Sequence, residues 1–291
     1  MYILERINKK NFKYLEDLNL RSKDLNNLNE DILIEIKRDR LLKKFKLLNK
    51  LRIISFNGKY VGFIWFERSK YEYSVYNIKS MYAEGDNLVS VYNKLLSIIP
   101  DSYSSIYYST IDNCIYNNVL EALKFRRLSG TCEMKMDLCK ITARYDSFEN
   151  LDFKIFRSNR DEELRCRLQN IIFYNSNRIP LTVEDIKYDL TQKYSIKNGG
   201  IFLYHENEPI GYGQIIYDKR RYYMVNFGII PSYRGNGYSK SLLYKLCSLA
   251  QKFNANELYL KVDVNNKVAI DLYRKFGFEI VEKYYKWMKI G

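Results

Sequence analysis

Apolar positions in the second half of the chain switch between two periods, and the switches mark out elements. After Gly237, the residues Leu242, Leu243, Leu246, Leu249, Ala250 and Phe253 recur at three- and four-residue steps, which predicts a helix with one buried face. Shorter apolar runs at Asp152–Arg157, Ile201–His205, Ile210–Asp218, Tyr222–Ile230 and Glu257–Val262 predict strands. The second and third of these are joined through the turn Glu206-Asn207-Glu208-Pro209 as a hairpin. Glu162–Phe173 and Lys267–Lys275 read as helices, and Thr182-Val183-Glu184-Asp185 as a capping-box start of another. Phe278–Val281 and Tyr285–Ile290 are expected to close this half as a final pair of strands.

The first half repeats that order. Asn57-Gly58-Lys59-Tyr60-Val61-Gly62 is a hairpin turn running into a strand, as Glu208-Pro209-Ile210-Gly211 is later. Tyr73–Tyr82, Leu88–Ile99 and Ser105–Ile111 predict strand, helix and strand, followed by a helix at Leu120–Phe125 and a hairpin at Thr131–Leu138. This points to a tandem duplication with domains at 1–145 and 146–291 and a joint near Ile141–Asn150. Asp31–Leu48 is expected to contain a long helical region.

Composition narrows the class. Hydrophobic residues make up 46% of 291, enough for real cores, and the longest unbroken apolar run, Val61–Phe66, is far too short to span a membrane. The start of the chain lacks a secretory pattern, so a cytoplasmic protein is expected. Five cysteines show no metal-ligand spacing and His205 is the only histidine, so no metal site is expected and the cysteines are read as small buried apolar residues. The net charge of +14 divides into +6 for residues 1–150 and +8 for the rest, with no basic tail. The densest basic run, Lys43-Lys44-Phe45-Lys46, reads as the solvated face of an amphipathic helix and not as a nucleic-acid patch. The field still favours small anionic partners.

The halves differ in glycine, four before residue 150 and nine after it. Three of the later ones, Gly228, Gly235 and Gly237, fall where the strand Met224–Ile230 ends at Pro231 and is followed by Arg234-Gly235-Asn236-Gly237-Tyr238-Ser239 and a helix. Strand, glycine turn and helix N-terminus together present free N–H groups to an anion. The lysine of a nucleotide-binding P-loop is absent, and the turn comes too late in its domain for a dinucleotide fingerprint. In the first half the same place reads Ser80-Met81-Tyr82-Ala83-Glu84-Gly85-Asp86-Asn87, whose carboxylates would repel a phosphate.

The later segment resembles the R/Q-x-x-G-x-G/A signature of GCN5-related N-acetyltransferases (GNAT), with Arg234 and Gly237 in place and Ser239 where glycine or alanine is usual. Downstream, Asn266-Lys267-Val268-Ala269-Ile270-Asp271-Leu272-Tyr273-Arg274-Lys275-Phe276-Gly277-Phe278 is similar to that family's N-x-x-A-x-x-L-Y-x-x-x-G-F block. The tandem layout resembles that of mycothiol synthase. The resemblance implies an α/β fold of two tandem GNAT-like domains, each a mixed, mostly antiparallel sheet flanked by helices. It implies acetyl transfer from acetyl-CoA to a primary amine of a small molecule or peptide. Phe227, Gly228, Ile229, Arg234, Gly235, Asn236, Gly237, Tyr238, Ser239, Asn266 and Tyr273 would hold acetyl-CoA. The Ile229 N–H would stabilise the oxyanion and Tyr273 would protonate the leaving thiolate. Gly228 also reads as a strand glycine making room for packing, Asn266 as a helix cap, and Tyr273 as one of 28 tyrosines.

Where many relatives have a glutamate base this chain has Tyr223, Asn226 cannot take a proton, and His205 is expected on the surface at a hairpin turn, so no base is named. The first half is expected to be a degenerate domain without cofactor that serves as internal partner of a monomer. A non-catalytic acyl-CoA sensor and a tRNA-dependent aminoacyl transferase are the competing readings.

Overall fold

The computed structural model describes residues 1–38, 47–100, 104–141, 150–176 and 178–290. The basic run at Lys43–Lys46 and most of the joint expected near Ile141–Asn150 lie outside the described residues. Two compact units emerge, and they are not consecutive halves. The first comprises Met1–Thr131 with Glu282–Gly291, and the second Cys132–Val281.

The first unit contains strands β1 (Tyr2–Glu5), β2 (Leu51–Phe56), β3 (Lys59–Arg68), β4 (Val75–Ala83) and β5 (Ser105–Ile111). Its helices are α1 (Phe12–Leu25), α2 (Ile32–Arg38), α3 (Leu88–Leu96) and α4 (Cys114–Ala122). Of the long helical region expected over Asp31–Leu48, only α2 and the residues from Leu47 on are described. Asn57 and Gly58, at φ 49° and 81°, make the tight turn between β2 and β3. Leu15, Leu18, Ile32 and Ile36 from the helices bury against Ile53, Phe63 and Trp65 of the sheet.

The second unit repeats this order. Its strands are β7 (Leu151–Ile155), β8 (Ser195–His205), β9 (Glu208–Asp218), β10 (Arg221–Ile229) and β11 (Glu257–Asp263). Its helices are α5 (Glu162–Ile172), α6 (Val183–Leu190), α7 (Tyr238–Lys252) and α8 (Lys267–Phe276). Thr182 and Asp185 form the expected capping box at the start of α6. The apolar face of α7 buries Leu242, Leu243, Leu246 and Ala250, and Gly213 on β9 leaves the space that Leu246 fills. In each unit the antiparallel strands are interrupted by one parallel pair, β4 with β5 and β10 with β11.

The last strands differ from expectation. Glu279–Ile290 is one strand, β12, and not a pair, because Glu282-Lys283-Tyr284 contains no turn-forming residue. Its portion from Tyr284 pairs with β5, so the end of the chain belongs to the first unit. Arg126–Asp137 is likewise one strand, β6, and its portion from Cys132 lies beside β11 in the second unit. Cys132, Met134 and Met136 enter the second core, while Trp287 of β12 is fully buried and donates to Thr110 of the first unit. The residues expected to end each domain are therefore exchanged. Both segments alternate apolar and polar side chains, and alternation states which face is buried but not which sheet is joined.

Three cysteines (132, 166 and 247) are buried as expected, whereas Cys114 and Cys139 are exposed. Among the described residues no helix is long and apolar enough to cross a membrane, and no group of His, Cys, Asp and Glu could hold a metal.

Candidate active site

The site begins where two parallel strands separate. β10 pairs with β11 only at Tyr223–Tyr259 and Met224–Leu260. Directly beyond, the register of β10 against β9 shifts between Val225 and Gly228, with Asn226 at φ 53°. The extra residue bends β10, and the two strands diverge as a bulge requires. The divergence opens a cleft of about 800 Å³, lined by both strands, the glycine turn and the first turns of α7 and α8.

At the bulge, the Ile230 N–H donates to the Ile210 carbonyl on β9 at 2.9 Å. Successive amides of a strand point to opposite sides, so the Ile229 N–H points away from β9, toward the side that β11 has left. Gly228 is held against α5, where an added Cβ would lie 2.3 Å from the Ile172 side chain. Its missing side chain thus makes room for packing, while the same residue closes the bulge. Phe227 lines the cleft and packs against Tyr273 in a tilted pair with ring centres 5.9 Å apart.

Beyond Ile229 the chain turns through Pro231–Tyr233 to Arg234. Gly235 and Gly237 take φ 87° and 81°, a region open to glycine without strain. Gly237 is the N-cap of α7 and supplies no side chain, so the first N–H groups of that helix remain available to a ligand. The Arg234 guanidinium donates from Nε to the Ile229 carbonyl at 2.9 Å and from Nη2 to the Ile172 carbonyl at 2.8 Å. Arg234 is thus a brace between the bulge and the end of α5 as well as a charge. Gly235, Tyr238 and Ser239 line the cleft, and Asn236 is turned back with its Nδ2 toward the Tyr233 carbonyl at 3.5 Å.

Across the cleft, Asn266 caps α8 by accepting from the Ala269 N–H at 3.1 Å, and it also lines the cleft. The Tyr273 ring is buried between Phe227 and Phe278, and its phenol makes no hydrogen bond among the described residues. Burial raises its pKa well above the ordinary tyrosine value, so it stays protonated across the physiological range.

The first unit closes the equivalent space. β4 pairs with β5 only over Val75–Asn77. Gly62 pairs with Ala83 as Gly211 pairs with Ile229, which makes Ala83 the counterpart of Ile229. The Ala83 N–H donates to the Tyr92 hydroxyl at 2.9 Å, the Tyr92 hydroxyl to Tyr116 at 2.9 Å, and the Tyr116 hydroxyl to the Met81 carbonyl at 3.0 Å. Asn87 accepts from the Ser90 N–H, so the start of α3 is capped from within the chain. Glu84 faces Arg21 and Lys59.

Two features were not legible beforehand. His205 is half-buried and packs on Tyr233 and Tyr238, 5.7 and 5.3 Å between ring centres, so it buttresses the glycine turn instead of standing on the surface. Glu133, brought in on β6, is buried and accepts from the Tyr223 hydroxyl at 2.9 Å. The strand exchange hides that pairing, because its members stand 90 residues apart.

Comparison with known proteins agrees with this geometry. Residues 170–278 match the Acetyltransferase (GNAT) family. The chain is 38% identical over 73 residues to "Probable N-acetyltransferase san" of Drosophila melanogaster, covering 24% of this chain and 40% of that protein. It is 36% identical over 73 residues to "N-alpha-acetyltransferase 50" of Danio rerio, covering 24% and 44%. The chain thus spans less than half the length of these relatives. A GCN5-related N-acetyltransferase from Sphaerobacter thermophilus superposes with TM-score 0.65 at 13% identity, over 99% of this chain and 95% of that one. A tandem GNAT protein from the clavulanic acid biosynthesis pathway superposes with TM-score 0.52 at 8% identity, over 99% and 98%. These likenesses establish the fold, two GNAT-like units in one chain.

Proposed function

We propose that this chain, whose residues 170–278 are an acetyltransferase (GNAT) family domain, transfers the acetyl group of acetyl-CoA to an amine. The observation that carries the reading is the wedge between β10 and β11, which meets an uncapped helix N-terminus at its mouth. The N–H groups around Gly235, Gly237, Tyr238 and Ser239 suit a pyrophosphate. The Ile229 N–H suits the carbonyl oxygen of the thioester, where negative charge develops as the amine attacks. The Tyr273 phenol, still protonated, suits the departing thiolate. Phe227, Gly228 and Asn266 shape the cleft, Arg234 fixes its frame, and Asn236 acts through the turn. The tyrosine-filled first unit supports one acetyl-CoA per chain, held by the second unit, and the duplicated fold supports a monomer.

The acceptor is an amino group of a peptide or small molecule. The matches to N-alpha-acetyltransferases favour the α-amino group of a peptide. The test is release of CoA thiol from acetyl-CoA over a panel of free-amine peptides and small amines, with product masses read in parallel. Acetylated product is expected. Binding of acetyl-CoA without consumption across the panel would convert the reading to that of a sensor.

A further inference from the structure

No carboxylate stands on β10, yet a buried one reaches Tyr223, beside the cleft residues Met224 and Lys261, from elsewhere in the chain. Glu133 on β6 is 3% exposed. Its neighbours Cys132 and Met134 face the apolar core, so Glu133 points to the opposite face of the sheet, shared with Tyr223, Tyr259 and Lys261. The Tyr223 hydroxyl donates to its Oε1 at 2.9 Å. The Lys261 ammonium lies 3.8 Å from Oε1 and the Arg221 guanidinium 3.6 Å from Oε2. Lys261 also lies over the Tyr223 ring at 5.5 Å and lines the cleft. A buried carboxylate is costly unless it is paired, and here the hydroxyl and the two cations supply the pairing. Tyr223 immediately precedes Met224, the last β10 residue paired with β11 before the wedge opens.

We infer that Glu133 is the proton acceptor for the incoming amine, reached through the Tyr223 hydroxyl. The inference rests on the acetyltransferase reading above. As the amine nitrogen attacks, the C–N bond forms and the C–S bond breaks, with its electron pair leaving on sulfur. The amine N–H proton passes to the Tyr223 oxygen while the Tyr223 proton passes to Glu133. The thiolate takes its proton separately, from Tyr273 or water. Glu133 then returns its proton to solvent, so the sum is acetyl-CoA plus amine giving amide plus CoA thiol. Two flanking cations disfavour an ammonium, so the acceptor arrives as the neutral amine. Burial and the bond to Glu133 both raise the Tyr223 pKa, which suits a relay that begins and ends protonated. Glu133 thereby acts as a positioning and proton-accepting group supplied by a strand that the sequence assigns to the other repeat.

The test uses the full chain, acetyl-CoA, and whichever free-amine peptide of the panel the wild type acetylates best. Glu133→Gln is expected to lower kcat about 100-fold or more near neutral pH, with the acetyl-CoA Kd and the KM for acetyl-CoA little changed. Its rate should climb with pH as solvent hydroxide takes over, while the groups facing position 133 (Tyr223, Arg221, Tyr259 and Lys261) are unaltered. Glu133→Asp should restore part of kcat. Tyr223→Phe should lose a similar factor, and the double variant should be no worse than the poorer single one. Thermal melts and acetyl-CoA binding establish that each variant is folded. If Glu133→Gln unfolds, Tyr223→Phe carries the test, with the same kcat loss and pH response expected. Full kcat in a folded Glu133→Gln or Tyr223→Phe overturns the inference and leaves the transferase reading standing. Equal losses in kcat and acetyl-CoA binding would show a purely structural role and also overturn it. A wild type that binds acetyl-CoA and acetylates no amine overturns both.

Discussion

Arg234 offers the sharpest separation of charge from geometry. Its guanidinium donates to two carbonyls on different elements, Ile229 on β10 and Ile172 on α5. Charge-assisted bonds of this kind contribute about 1.5–3 kcal/mol each when buried. The Arg234→Lys variant keeps the charge, but one ammonium on a flexible stem cannot span both carbonyls as the rigid fork does. One bond is lost, and because Arg234 is exposed and its bonds are only part-buried, water offsets part of it, leaving a cost of about 1–2 kcal/mol. The Ile229 carbonyl and N–H belong to the residue just past the bulge that lines the cleft, so that cost should reappear in ligand binding. We expect acetyl-CoA to bind about 5–30-fold more weakly to Arg234→Lys. Its melting temperature should fall by about 2–8 °C. Titration calorimetry and thermal melts of wild type, Arg234→Lys and Arg234→Ala decide it. If the lysine variant matches wild type in both while the alanine variant loses affinity, Arg234 acts only as a charge and the bracing argument is wrong.

Tyr273→Phe should lower turnover with little change in acetyl-CoA affinity, read from steady-state rates where chemistry limits; unchanged turnover removes Tyr273 from the mechanism. Buried tyrosines bear on stability against pH. Burial raises Tyr108 to about 12, and Tyr92, Tyr116 and Tyr273 move in the same direction. A tyrosine with a raised folded-state pKa holds its proton longer than in the unfolded chain. Stability should therefore be unaffected by these groups below about pH 10 and be lost as pH rises toward 12 and above. Circular dichroism followed with tyrosinate absorbance tests this, and full ionisation near pH 10 with the fold intact would refute it. A fragment starting at Leu151 lacks Cys132, Met134 and Met136 of the second core, a loss of roughly 4–7 kcal/mol of burial, and should be insoluble or molten. A soluble, cooperatively melting fragment would contradict the strand exchange.

Much of this arrangement was legible in the amino-acid order. The three- and four-residue spacing of Leu242, Leu243 and Leu246 marked α7, and Thr182 with Asp185 marked the start of α6. The glycine turn was visible because positive φ at Gly235 and Gly237 leaves a compositional trace. Pairing partners leave none. Residues 132–137 and 284–290 carry near-equivalent alternating patterns, and which sheet each joins depends on contacts far away in sequence. That is why the amino-acid order does not reveal the Glu133–Tyr223 pairing, nor that β12 pairs with a strand of the other half. The tyrosine filling of the first unit was hidden for a related reason. Among 28 tyrosines, only the pairing of Gly62 with Ala83 shows that Tyr92 reaches the counterpart of the Ile229 N–H.

The central claim, that the thioester is held at the β10 bulge of the second unit, is tested most directly by amide NMR of the deuterated, nitrogen-labelled chain during titration with acetyl-CoA. The account predicts saturable shifts of the Ile229, Gly235, Gly237, Tyr238 and Ser239 amides at one equivalent, with Ala83 unmoved because Tyr92 already takes its N–H. Shifts centred on Ala83 and the start of α3, or none at the Ile229 amide at saturation, would contradict it.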